Sequence, residues 1–128
     1  MRSIAAIVLF ALGCTESSGD STLNNTTPVD DTGTLVCNDA LTWDSWAHGF
    51  FLNWCTSCHS STLSEDDRQK APPGMNFDTY QGVAENAVAI EYRGVTAEPK
   101  YLMPPNGGPD LKERELLRLW IECGLLKE

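Results

Sequence analysis

Between positions 43 and 123 apolar residues recur in three stretches at the three- and four-residue intervals of a helix face, and the segments between them break that rhythm. Trp43, Trp46, Ala47, Phe50, Phe51 and Trp54 form the first stripe, with Thr42 placed to cap it and Asp44, Ser45 and His48 on the opposite side. A second helix is predicted from Asp78 as its cap to about Gly94, aligning Tyr80, Val83, Ala87 and Ile90. The third opens at Pro109-Asp110, where Asp110 and Glu113 match a capping box. It carries Leu116, Leu117, Leu119, Trp120 and Cys123 and closes at Gly124. Ala71-Pro72-Pro73-Gly74 and the run from Met103 to Pro109 are predicted loops, because proline supplies no ladder donor and glycine opens other dihedrals. No convincing alternation of apolar and polar residues predicts a strand. The expected class is mainly α, about three helices joined by long loops, a build that asks for something central to wrap.

Before residue 37 the pattern changes. Arg2 precedes an apolar run from Ile4 to Leu12, which has the length of an export-signal core and is too short to span a bilayer. The run meets Ala11-Leu12-Gly13-Cys14, which resembles the lipobox of bacterial lipoproteins with Leu12 in place of the usual small residue. That resemblance implies cleavage before Cys14 and acylation of its sulfur. With Thr15 rather than Asp following, it also implies sorting to the outer membrane of a Gram-negative bacterium, facing the periplasm. The alternative is an ordinary signal peptide cut nearby, with Cys14 unmodified. From Thr15 to Val36 Ser, Thr, Asn, Asp and Gly dominate, as in a solvated leash reaching on the order of 25 Å. The expected division is a signal peptide at 1–13, a lipidated Cys14 with its linker at 14–36, and one domain at 37–128.

Length and charge narrow the field. A chain of 128 residues has room for one small domain. Nine Lys and Arg against 18 Asp and Glu argue against nucleic acid, whose phosphates demand a basic face. Eleven aromatic rings suit a flat apolar ligand or a compact aromatic core. The five cysteines need an assignment that fits an oxidising compartment.

Two of them stand in Cys55-Thr56-Ser57-Cys58-His59. Thiols three residues apart can add to the two vinyl groups of a haem, and the adjacent imidazole is then placed to bind the iron. With this motif, residues 37–128 resemble the small monohaem class I cytochromes c. Ala47, Phe51 and Cys55 at four-residue intervals match the family's small residue, aromatic and first attachment cysteine, and Leu119-Trp120-Ile121 matches its aromatic position on the last helix. The resemblance implies one covalent haem c on Cys55 and Cys58, His59 as proximal iron ligand, and terminal helices crossing around the cofactor. A thioredoxin-like pair, which needs a βαβ setting, and a zinc site drawn from Cys37, Cys55, Cys58, His59 or Cys123 are competing readings.

Tyr101-Leu102-Met103-Pro104-Pro105 resembles the family's distal loop and implies Met103 as sixth ligand, with Met75 as the backup and His48 as a surface histidine. Cys37 and Cys123 then remain. If the terminal helices cross as the resemblance implies, the two could form a disulfide; otherwise they are separate thiols, Cys123 a small buried apolar residue. The expected function is electron transfer, without catalysis. The folded part carries 8 Lys and Arg against 14 Asp and Glu, so a redox partner with a basic or neutral docking face is expected. A haem sensor or catalytic haem domain with a displaceable distal ligand, or the haem subunit of a membrane redox complex, are the alternatives.

Overall fold

The computed structural model describes residues 29–105 and 107–128; Cys14, its lipobox and the leader lie outside the described residues. The chain is mainly helical, and the only β pairing among the described residues is an isolated bridge between Val29 and Leu35. Within the stretch read as leash, the Asp30 carboxylate closes a turn by accepting from the backbone N–H of Thr32 at 2.8 Å and of Thr34 at 2.9 Å, and Leu35 packs against the core.

The first apolar stripe folds as a wide π-type turn, Trp43–Ala47, that runs directly into helix α1, His48–Trp54. Thr42 caps it as expected. Its Oγ1 accepts from Ser45 N–H at 3.1 Å while Ser45 Oγ accepts from Thr42 N–H at 3.0 Å, satisfying two donors that a helix start leaves orphaned.

The second helix differs from expectation in two ways. It is divided into α2, Tyr80–Glu85, and α3, Ala87–Glu91, followed by a π-type turn, Tyr92–Thr96, so among the described residues four α-helices stand where three were expected. Asn86 makes the break: its side-chain N–H donates to the Gly82 carbonyl at 2.8 Å, taking the acceptor four residues back, and its backbone leaves the helical region at φ −112°, ψ 13°. The cap is Thr79, whose Oγ1 accepts from Gly82 N–H at 3.2 Å. Asp78 instead binds Ser61, accepting from its N–H at 3.0 Å and its hydroxyl at 2.6 Å, which ties the loop after the cysteine motif to the start of α2. That approach is close. A Cβ on Gly82 would lie 2.0 Å from the Asn76 carbonyl oxygen, so no other residue fits there without moving the loop.

After a single 3-10 turn at Pro99–Tyr101 comes α4, Leu111–Glu122, with the Asp110/Glu113 capping box in place. It ends in a Schellman motif: Gly124, at φ 90°, donates to the Ile121 carbonyl at 3.0 Å and Leu125 donates to the Trp120 carbonyl at 3.0 Å.

The turn returns the chain toward α1. The Leu126 carbonyl accepts from Trp43 N–H at 2.7 Å and from the Trp120 indole N–H at 3.0 Å, while the Leu125 carbonyl accepts from the Tyr80 hydroxyl at 2.9 Å. Beneath this clasp Trp120 and Phe51 are fully buried, with ring centroids 6.1 Å apart, and Trp43 lies 5.9 Å from Phe51 and 6.2 Å from Trp120. Edge-to-face and offset contacts of this kind add to the area that the rings bury. Ala47, also fully buried, leaves room for these rings beside α1. Cys37 and Cys123 are joined in a disulfide, Cα atoms 5.7 Å apart, closing a separation of 86 residues.

Two outcomes follow from these ties. Cys37→Ser should lower the free energy of unfolding by about 2–5 kcal/mol, as loss of a bridge closing a long loop does in a small domain. Equilibrium denaturation of the two forms measures it, and equal midpoints would show that the clasp holds without the bridge. The Ser61 hydroxyl and, more weakly, the neighbouring backbone and Arg68 hold the Asp78 carboxyl below its ordinary pKa. A carboxylate depressed on folding stabilises above its unfolded pKa of about 3.9, and that contribution is lost as pH falls through the folded value. Asp78→Asn should therefore melt earlier at pH 7, with the gap to wild type closing in acid below that range.

Candidate functional site

Helix α1 delivers the cysteine motif. Cys55 N–H donates to the Phe51 carbonyl at 2.9 Å, and beyond it Cys58 and His59 N–H groups donate back to the Cys55 carbonyl at 3.2 and 2.9 Å, so the chain keeps coiling through the motif. Residues three and four apart on such a coil share a face. Cys55, Cys58 and His59 accordingly line one cavity of about 260 Å³, whose other walls are largely apolar: Phe50, Phe51, Met75, Phe77, Ile90 and Leu117 among them. It adjoins a shallower space of about 480 Å³ and shares Trp54, Cys58, His59, Pro72 and Met103 with it.

The imidazole is held in one tautomer. His59 Nδ1 lies 3.1 Å from the Met75 carbonyl oxygen, which can only accept, so Nδ1 carries the proton and the lone pair is on Nε2. The ring stacks on Phe77 with centroids 4.5 Å apart, and Phe77 N–H donates to the His59 carbonyl at 2.8 Å. Burial lowers the imidazole pKa, outweighing the hydrogen bond to Met75, which raises it; Arg68 adds to the lowering. A neutral histidine with Nε2 unprotonated is the ligating form.

Cys55 and Cys58 are both unbridged thiols. Removal of water from around the Cys55 sulfur pushes its pKa up to about 12 against the pull of Arg114. Ser57 Oγ sits 3.9 Å from the Cys58 sulfur.

Met103, on the proline loop, lines the same cavity as His59. Its N–H donates to the Arg93 carbonyl at 2.8 Å, its carbonyl accepts from Arg114 at 3.0 Å, and the residue is 43% exposed. Arg114 also donates to the carbonyls of Gly94 and Pro109, so one guanidinium pins both flanks of the proline loop. Met75 also lines this cavity, and its backbone carbonyl holds the imidazole. His48 is exposed, stacks on Trp43 at 5.0 Å and does not line the cavity.

Arg68 belongs to this site although nothing in the sequence singled it out. The Glu65-Asp66-Asp67 run before it reads as a solvated turn or helix start, yet Arg68 is buried and donates to the carbonyls of Ser60, Pro72 and Met75. The one available signal is the length of the loop from Ser60 to Asn76, which has few apolar residues to hold it and needs a polar anchor.

Two thiols, a neutral imidazole and a thioether lining one apolar cavity offer nucleophiles for covalent attachment of an apolar group and nitrogen and sulfur donors for a transition metal. The competing readings find less. Among the described residues no three His, Cys, Asp or Glu side chains group to hold a metal ion, and no βαβ unit surrounds the cysteines. Among the same residues no helix is long and apolar enough to cross a membrane. No known family model, curated protein or solved structure matches the chain.

With both thiols free, the thiolate fraction of Cys55 at pH 8 is about one in ten thousand, since its pKa lies near 12. Alkylation of Cys55 in the folded chain should rise roughly tenfold per pH unit up to pH 10. Peptide mass spectrometry of timed iodoacetamide reactions reads this, and a plateau near pH 9 would contradict the burial of the sulfur.

Proposed function

We propose that this chain is a c-type cytochrome that carries single electrons on one covalently attached haem. The observation that carries the reading is the convergence of Cys55, Cys58 and a neutral, Nδ1-protonated His59 on one apolar cavity. The donor set suits the group: Cys55 and Cys58 would hold it through thioethers, His59 Nε2 and Met103 would bind its iron, and the apolar lining that includes Phe50 and Phe51 would keep water from it. A bound haem supplies the one-electron couple of its iron; the protein supplies orientation, exclusion of water and fixed ligands.

Met103 is preferred to Met75 as sixth ligand because Met75 shares the side of the cavity that holds His59. The exposure of Met103 favours one second reading, a distal ligand that an external molecule displaces. In the same proposal the chain is exported and tethered by lipid on Cys14, and the net acidic folded part meets a redox partner through a basic or neutral face.

The test is an intact mass and a pyridine-haemochrome spectrum of protein made in a host that attaches haem. A mass higher by one haem, falling to apoprotein in the double variant Cys55→Ala/Cys58→Ala, is expected; apoprotein mass in the wild type would overturn the reading. Met103→Leu, but not Met75→Leu, should open the reduced protein to rapid carbon monoxide binding. Rapid binding in the wild type would favour the displaceable-ligand reading over the carrier.

A further inference from the structure

We infer that Arg68 is the positioning residue for the His59 imidazole, acting through the backbone carbonyl of Met75. The inference rests on the haem reading only for what the imidazole holds; the arrangement itself is a matter of hydrogen bonds within the chain.

Arg68 is 5% exposed and pairs with no carboxylate among the described residues. A buried charge is costly unless its hydrogen bonds are made, and here they all go to one loop. Nη1 donates to the Ser60 carbonyl at 2.7 Å and to Asn76 Oδ1 at 2.9 Å; Nη2 donates to the carbonyls of Pro72 and Met75, both at 3.0 Å; Nε reaches the Ala71 carbonyl at 3.4 Å. The planar fork of one guanidinium thus spans from the residue next to His59 to the far end of the loop. Between these ends Gln69 and Lys70 hold φ values of 51° and 74°, a left-handed pair that side-chain-bearing residues adopt only when their surroundings impose it.

The Met75 carbonyl is where the two groups meet. It accepts from Arg68 Nη2 at 3.0 Å and from His59 Nδ1 at 3.1 Å, so both of its lone-pair directions are used. A carbonyl bonded to the imidazole alone could turn with its loop; one also fixed by a buried, five-donor fork cannot. The consequence for His59 is a single tautomer and a single ring orientation. Lysine would keep the charge, but an ammonium lacks the fork that engages Pro72, Met75 and Asn76 together.

The readout is the solvent exchange of the His59 Nδ1–H, followed by NMR in the reduced protein as isolated, with the Trp120 indole N–H, bonded to Leu126, as an internal control. Arg68→Lys should accelerate His59 exchange by about fivefold, the factor that one hydrogen bond of ordinary net worth carries. Asn76→Ala, which removes one acceptor and leaves the guanidinium, should have a smaller effect in the same direction. The Trp120 signal should stay at its wild-type rate in both. Arg68→Met removes the fork and the charge; should that chain not fold, the two milder variants decide the matter. Wild-type His59 exchange in folded Arg68→Lys would overturn the inference. So would parallel acceleration of His59 and Trp120, which marks general loosening. Haem content is read separately by mass: its absence defeats the haem reading and leaves the exchange rates interpretable, whereas attached haem with unchanged rates defeats the role of Arg68 alone.

Discussion

The Leu126 carbonyl oxygen is the point on which the rest of the molecule depends. It accepts from the backbone of Trp43 and from the indole of Trp120, and so joins the turn that opens α1 to the tail that follows α4. With those two segments joined, Trp120 closes over Phe51 and the disulfide partners lie within bridging distance. Cys55 and His59, carried past the end of α1, line the same cavity as the proline loop that precedes α4. A small domain has little core to spare, and this one packs Trp43 and Trp120 under the clasp while Phe50, Phe77, Ile90 and Leu117 line the cavity.

Two of the chain's cations are drawn into its loops, while Lys70, Arg93, Lys100, Lys112 and Lys127 are exposed. Arg68 and Arg114 each gather several backbone carbonyls, one on the His59 loop and the other on the Met103 loop. Neither loop has regular structure to satisfy its carbonyls, and a guanidinium is the one side chain able to address several at once. The cavity is therefore bounded on two sides by loops whose shape is set by arginines rather than by helix or sheet. Trp54 completes the frame, its indole N–H donating to Glu113 at 3.2 Å and so linking the end of α1 to the cap of α4.

Much of this was legible in the residues. Thr42, the Asp110/Glu113 box and Gly124 mark helix boundaries through local chemistry that needs no tertiary partner, and they stand where their spacing places them. The grouping of Cys55, Cys58 and His59 followed from their positions on one coil. What could not be read depends on contacts far apart in sequence. Asp78 looked like a cap because it precedes an apolar stripe, but Ser61, 17 residues earlier, takes both of its oxygens. Asn86 sat inside a good helical pattern, and only its side-chain bond to Gly82 ends the helix there. Arg68 was signalled only by the length of its apolar-poor loop, since a cation after three acidic residues reads as solvated until the loop folds around it.

The missing side chain of Gly82 has a mechanical consequence. Helix α2 rests directly on the carbonyl of Asn76, and Asn76 is itself a partner of Arg68. The helix is thus a backstop of fixed thickness behind the loop that carries Met75. Even one methyl group at position 82 would act as a shim, and its displacement would travel through Asn76 and Arg68 to the imidazole on the other side of the loop.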